Sequence, residues 1–426
     1  MGILIIADDL TGAADCAIGF ARSGTRSVVT LGGEPGIVAD SIGALAVDTD
    51  TRRLSADVAA ERVVSVHAWM GGGRRLYKKI DSTLRGNWAA EVAALQRVAG
   101  TAIVAPAHPD TGRTVRDGHV HVHGERLEST QIWKLEHAHR RAGIADQLDA
   151  VGLASDAVDA DALQDRPADL ARRIGTLVAD GVQAIVVSAG TRQALRALAM
   201  ATGSGAGNSF WVGSGGLSCE IAALHSRPGG AGASPKPSVS GPILILVGSL
   251  SQVSERQCAR FRLGSAVKEL VLIPEVLRAG PRHPDWDVLR EKVGALLRKQ
   301  TDLLVRIGRD DRFDPAEGAL LAASMAKLIG PHLARAGGVI ATGGETARAM
   351  LVEAGIDSLE VLCEVEAGVV VANPCFSDHR PAPRIVTKAG AFGSEHALYE
   401  AWRMLRGHGS RTPEEPVFPC INSLES

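Results

Sequence analysis

The sequence predicts an α/β protein of two domains, each with a mainly parallel sheet flanked by helices and an active-site cleft between them. Short apolar runs alternate with helix-length segments along the chain, which is the pattern of a covered parallel sheet. Many of these runs stop at polar or glycine-rich turns, and ligands of open α/β sheets sit at the carboxyl ends of strands. A stretch rich in Pro, Gly and Ser, Arg227–Gly241 (RPGGAGASPKPSVSG), interrupts the alternation and reads as a linker. The expected division is residues 1–228, a linker at 229–241, and residues 242–426.

In chain order, Gly2–Ala7 is an apolar strand that meets Asp8-Asp9, then Leu10-Thr11-Gly12 leads into a helix over Ala13–Arg22. Asp9 lies at a strand end, where a site is expected, although an Asp there also suits a helix cap. Ser27–Leu31 and Ala44–Val47 are strands, the second followed by Asp48-Thr49-Asp50-Thr51-Arg52. Leu54–His67 reads as a helix. Arg75–Lys79 is a strand running into KKIDSTLRGN (Lys78–Asn87), which packs lysines, an aspartate, hydroxyls and an arginine into one turn. Trp88–Ala99 is a helix and Ala102–Ala105 a strand. The alternating histidines His119, His121 and His123 share one face of a strand and read as a solvent-facing hairpin edge, with metal binding the minor alternative. Ala154–Arg173 reads as an acidic surface helix. Ala184–Ser188 and Phe210–Gly216 are strands.

The second half repeats the unit, with strands at Pro242–Val247, Glu269–Ile273, Asp302–Arg306, Gly338–Thr342 and Arg384–Lys388. Helices are expected to about Phe261, over Trp286–Gln300 and Ala316–Ala336, to about Ala354, and from Ser394 to about Leu405. Glu364–Gly368 reads as an acidic loop. Three turns carry glycine or hydroxyl residues: GSLS (248–251), GGET (343–346) and AGAFG (389–393). Glycine lets backbone approach an anion, and helix N-termini offer free N–H groups, so together these turns form a plausible polyphosphate cradle.

Formal net charge is -2, with 46 Lys+Arg against 48 Asp+Glu, and aromatic residues are 4%. Neither figure favours a nucleic-acid or anionic-membrane partner. No apolar run approaches the ~20 residues that span a bilayer, and MGILIIADDL lacks the basic start of a signal peptide, so a cytoplasmic location is expected. The six cysteines have no CxxC spacing and read as reduced. The chain lacks GxxxxGK[ST], a GxGxxG fingerprint and GxSxG, which disfavours a P-loop NTPase, a dinucleotide oxidoreductase and an α/β-hydrolase.

IADDLTGA (Ile6–Ala13), VDTDTR (Val47–Arg52), KKIDSTLRGN, GSGGL (Gly213–Leu217), GSLS, GGETA and TKAGAFG, in this order, resemble the four-carbon acid sugar kinase family over nearly the whole chain. The resemblance implies ATP-dependent phosphorylation of the 4-hydroxyl of D-threonate, D-erythronate or 3-dehydrotetronate, with an N-terminal substrate domain and a C-terminal nucleotide domain. It places Asp9, Arg52, Lys79, Asp81, Ser82, Thr83 and Arg85 on substrate positions. Ser249, Gly343, Gly344, Glu345, Thr346 and Gly390 fall on nucleotide positions.

On that basis Arg52 and Arg85 are the better carboxylate clamps, since a guanidinium fork fits a carboxylate bidentately. Asp9 and Asp81 would hold hydroxyls, with Asp9 favoured as the catalytic base. Mg2+ would bridge the ATP phosphates, with no protein metal ligand assigned. The expected partners are a sugar acid and ATP, with neither nucleic acid nor membrane; a homodimer is compatible. The rival readings are a non-catalytic sugar-acid sensor and an aldolase or dehydratase working through Lys78 or Lys79.

Overall fold

The computed structural model describes residues 2–32, 42–136, 141–205, 207–225, 238–312, 314, 317–375, 382–390 and 392–408. Most of the expected linker (229–237), Ala391 of the third glycine turn, Cys420 and the tail from 409 lie outside the described residues. The chain divides into two compact units.

The first unit carries strands β1 (Ile3–Ala7), β2 (Ser27–Leu31), β3 (Ala44–Asp48), β4 (Arg75–Lys79), β5 (Thr101–Ala105), β6 (Arg113–Arg116), β7 (His119–Val122), β8 (Glu125–Arg126), β9 (Ser155–Asp159), β10 (Ala184–Ser188) and β11 (Ser209–Gly213). Its helices are α1 (Leu10–Arg22), α2 (Ala56–Met70), α3 (Trp88–Ala99), α4 (Gln131–Glu136), α5 (Ile144–Asp149), α6 (Pro167–Ala179), α7 (Arg192–Gly203) and α8 (Gly215–Leu224). The strands run in the order β2-β3-β1-β4-β11-β5-β10-β9, and the pairings from β2 to β9 are parallel. From β1 the chain moves first to one side and then returns to β4 on the other. β1 therefore stands where strand order reverses, which is where such sheets hold ligands. Both faces of β1 to β3 are buried, which explains the unbroken apolar run of β1 and the largely apolar ones of β2 and β3.

β6, β7 and β8 form a small antiparallel sheet in which Val120 and Val122 are buried while His119 and His121 alternate outward. Among the described residues, no group of three or more His, Cys, Asp or Glu is placed to hold a metal ion.

The second unit carries β12 (Ile243–Val247), β13 (Lys268–Leu272), β14 (Leu303–Ile307), β15 (Gly338–Thr342), β16 (Ser358–Glu366), β17 (Val369–Pro374) and β18 (Arg384–Lys388). Its helices are α9 (Gln252–Gly264), α10 (Pro274–Ala279), α11 (Trp286–Arg298), α12 (Gly318–Ile329), α13 (Gly344–Glu353) and α14 (Ala397–Leu405). The strand order is β13-β14-β12-β15-β18-β17-β16. Ile243, Ile245 and Val247 of β12 pack with Phe261, Leu398 and Leu405 in its core. Burying each such side chain stabilises by about 1.5–3 kcal/mol.

Four expectations need correction. Residues 155–159 form the edge strand β9, not a helix; only Val158 of SDAVD is buried, so no apolar run announces it. The long helix over Ala316–Ala336 stops at Ile329, and a 3-10 segment Gly330–Arg335 follows, because Pro331 lacks the N–H that would continue it. The acidic loop Glu364–Gly368 is mostly strand: β16 runs to Glu366, turns at Ala367-Gly368 and pairs antiparallel with β17. Finally, α1 begins at Leu10, so Leu10-Thr11-Gly12 form its first turn.

Candidate functional site

In the first unit, three neighbouring parallel strands deliver their carboxyl ends to one place. Ala7 of β1 registers with Asp48 of β3, and Ile6 with Lys78 of β4. The residues that follow, Asp8-Asp9, Thr49–Arg52 and Ile80–Arg85, are thereby brought together.

Asp9 has two tasks. It is the N-cap of α1, with Oδ1 accepting from the Gly12 amide at 2.8 Å. Its Oδ2 accepts from Thr11 Oγ1 at 2.9 Å and from Arg52 Nη1 at 2.8 Å. Burial alone would raise the carboxyl's pKa, but Arg52, Lys79 and these hydrogen bonds prevail and hold it below its ordinary value. Gly12 is required here by space: a Cβ would lie 2.6 Å from Asp9 Oδ1 and 2.9 Å from Lys79 Nζ. Burial pulls the Lys79 ammonium down, yet Cys16, Asp9, Asp15 and Asp8 outweigh it and raise its pKa. It stays charged and is a poor Schiff-base nucleophile.

Arg52 is the hub. Its Nε and Nη2 grip Asp8 at 2.8 and 3.0 Å, Nη1 reaches Asp9, and Nη2 lies 3.8 Å from Asp81. Burial opposes its charge, but Asp8, Asp9 and Asp81 raise its pKa well above the usual arginine value. Asp8 is the residue the sequence reading passed over. The paired aspartates in ADDL were the available signal, but a carboxylate that orients an arginine looks the same in sequence as one that touches substrate.

The KKIDSTLRGN turn divides by strand alternation. Lys79 faces α1, whereas Lys78 points to the opposite face of the sheet and is fully buried 2.8 Å from Glu91 of α3. Lys78 is therefore structural, which removes it as a catalytic amine. Asp81 accepts from the Thr83 amide at 2.8 Å, from the Thr83 hydroxyl, and from Arg85 Nη2 at 2.7 Å. Burial would raise the Asp81 carboxyl, but Arg85 and Arg52 hold it well below the usual range. Ser82 and Thr83 are buried in the same turn. Leu84 is buried at φ +58°, a conformation costly for a leucine and of the kind that clusters at functional sites. Arg113, beyond β5, is close enough to Asp81 and Arg85 to feel both charges.

In the second unit the glycine turns also converge. A Cβ on Gly248 would lie 2.0 Å from Thr346 Oγ1, so the first two turns touch only because position 248 has no side chain. Gly343 donates its amide to Lys388 O at 2.8 Å, which ties the second turn to the third. The Ser251 hydroxyl donates to Gly390 O at 3.0 Å, tying the first turn to the third. α13 opens at Gly344, and its N-cap Gly343 supplies no side-chain cap; Glu345 and Thr346 lie in its first turn. An uncapped helix start of this kind suits a phosphate. A cavity of about 210 Å³ opens beside Ser249, with Arg306 and Arg309 in its wall.

Residues 3–221 match the sugar-binding N-terminal domain family, and residues 244–398 match the nucleotide-binding C-terminal domain family. The chain is 49% identical over 95% of its length to a D-threonate kinase of Cupriavidus necator, covering 98% of that protein. It is 32% identical over 94% of its length to a D-threonate kinase of Bordetella bronchiseptica, covering 97% of it. It shares its fold with a solved protein of Salmonella typhimurium LT2, at a TM-score of 0.80 and 20% identity, covering 94% of this chain and 99% of that one. No helix among the described residues is long and apolar enough to cross a membrane. With both domain families matched in order and relatives similar along nearly its whole length, the chain belongs to the four-carbon acid sugar kinase family.

Proposed function

We propose that the protein transfers the γ-phosphoryl group of ATP to the 4-hydroxyl of a four-carbon sugar acid, with D-threonate the leading substrate and D-erythronate and 3-dehydrotetronate the alternatives. The observation that carries this reading is the Asp8–Asp9–Arg52–Asp81–Arg85 cluster, which lies within the stretch matched to a sugar-binding domain. The likeness to relatives named D-threonate kinase supports the substrate class.

Phosphoryl transfer asks for an oriented nucleophile more than for a strong base. A carboxylate whose pKa is held low is suited to accepting a hydrogen bond from a hydroxyl. Asp9 is preferred over Asp81 for the 4-hydroxyl, because its side chain is the more exposed, 20% against 11%. Arg52 and Arg85 face protein carboxylates, and a sugar-acid carboxylate would compete with those carboxylates for the two guanidinium groups. Lys79 adds positive charge close to Asp9. Ser249, the first turn of α13 and Gly390 would hold the nucleotide phosphates, a reading supported by the close approach of Thr346 to Gly248, where a Cβ would lie 2.0 Å from Thr346 Oγ1. Mg2+, if bound with ATP, would supply neutralisation of the phosphate charge, and no protein ligand is assigned to it.

The domain division at 228 and 242, a cytoplasmic location and a homodimer belong to the same proposal. A coupled ADP-release assay across D-threonate, D-erythronate, 3-dehydrotetronate and a neutral tetritol tests it. Acid-dependent ADP release with Mg-ATP is expected. Tight binding of a sugar acid without turnover would favour the sensor instead.

A further inference from the structure

Lys388, the last residue of β18, is fully buried, and its hydrogen-bond partners are backbone carbonyls of the turn that follows. Nζ donates to Ala389 O at 2.8 Å, to Phe392 O at 2.9 Å and to Gly390 O at 3.4 Å. Half-buried Ser251 and buried Ser254 and Gln257 hold the same segment. The Ser251 and Ser254 hydroxyls reach Gly390 O at 3.0 and 2.8 Å. Gln257 Nε2 reaches Phe392 O, Gly393 O and Ser394 O at 3.1, 3.4 and 2.8 Å.

The direction of these carbonyls has a consequence. In a planar trans peptide the C=O and the following N–H point opposite ways. Holding Ala389 O and Phe392 O inward turns the Gly390 and Gly393 amides outward. The Phe392 amide is turned back onto Ala389 O at 3.2 Å, so Gly390 and Gly393 are the amides this turn offers to an anion. Nor is a lysine a cheap choice for this position. Burial pushes its pKa down to about 8, against the pull of Glu366 and Cys258, where a plain core residue would carry no such penalty.

We infer that Lys388 is a positioning residue for nucleotide: its ammonium gathers the carbonyls of Ala389, Gly390 and Phe392 and thereby presents the Gly390 and Gly393 amides to the phosphates. This rests on the nucleotide reading of the second unit given above. Lys388 is too deeply buried to touch the ligand itself.

Calorimetry on the full chain, with a non-hydrolysable ATP analogue plus Mg2+ and separately with D-threonate, tests the inference. Lys388→Met should weaken nucleotide binding tenfold or more and leave D-threonate affinity within twofold, while Lys388→Arg restores most of the loss. Ser254→Ala, which removes one donor to Gly390 O, should weaken nucleotide severalfold. A folded Lys388→Met chain with unchanged nucleotide affinity overturns the inference. If that variant does not fold, unchanged affinity in Ser254→Ala overturns it. Failure of the unaltered chain to bind nucleotide would refute the nucleotide reading, and this inference with it; that outcome is distinct because it needs no variant.

Discussion

Lys78 and Glu91 face each other across 2.8 Å, with side chains 0% and 1% exposed. The contact pairs two charges instead of aligning a hydrogen bond; Lys78 Nζ donates to Ile6 O at 3.3 Å, while Glu91 Oε1 accepts from the Thr51 hydroxyl. Thr51 immediately precedes Arg52, so this buried network joins β1, β4 and α3 to the turn that carries the central arginine. Removing one partner leaves an uncompensated buried charge, which costs about 3–5 kcal/mol. Glu91→Ala should lower stability by about that amount in urea denaturation, and Lys78→Met/Glu91→Leu should recover much of the loss.

Asp9 separates capping from chemistry. Asparagine also caps helices well, so Asp9→Asn should keep the end of α1 while losing the charge that faces Arg52. We expect kcat to fall about 10²–10⁴-fold, with the affinity for a nucleotide analogue unchanged. Near-normal turnover would rule out Asp9 as the group that orients the 4-hydroxyl.

Arg85 reads the acid end of the substrate in the proposed mechanism. Charge-assisted hydrogen bonds contribute about 1.5–3 kcal/mol, so Arg85→Ala should raise KM for D-threonate about ten- to a hundredfold. A neutral tetritol should be affected much less. Equal losses for acid and tetritol would mean that Arg85 serves only to hold Asp81.

Asp81 sets a pH dependence whose sign is fixed. Arg85 and Arg52 hold its folded pKa well below the ordinary aspartate value, so its contribution to stability is fully present above about pH 4. That contribution is lost as the pH falls through the depressed folded value. Asp81→Asn should flatten the fall in melting temperature below about pH 4, and an unchanged acid limb would refute the assignment.

Gly248→Ala places a methyl against Thr346. Overpacking of this kind costs about 1–3 kcal/mol. The variant should melt earlier and bind nucleotide more weakly. Gly248→Ala/Thr346→Ser does not relieve the clash with Oγ1, whereas Gly248→Ala/Thr346→Ala should recover stability.

Periodicity and turn chemistry alone supply the α/β class, most strands, the polar strand ends and the linker-like composition, because apolar runs and glycine are local signals. The elements that escaped are those whose sequence carries no such signal. β9 is an edge strand with a single buried side chain, and the β16–β17 hairpin is acidic over part of its length. Asp9 and Arg52 stand out in sequence by residue type and position. That Asp8 grips Arg52, that Lys78 and Lys79 serve opposite faces, and that Lys388 turns a loop's carbonyls inward were decided by tertiary structure. Such roles depend on which strands become neighbours and on how burial is set against opposing charge, and a linear sequence specifies neither until the chain has folded.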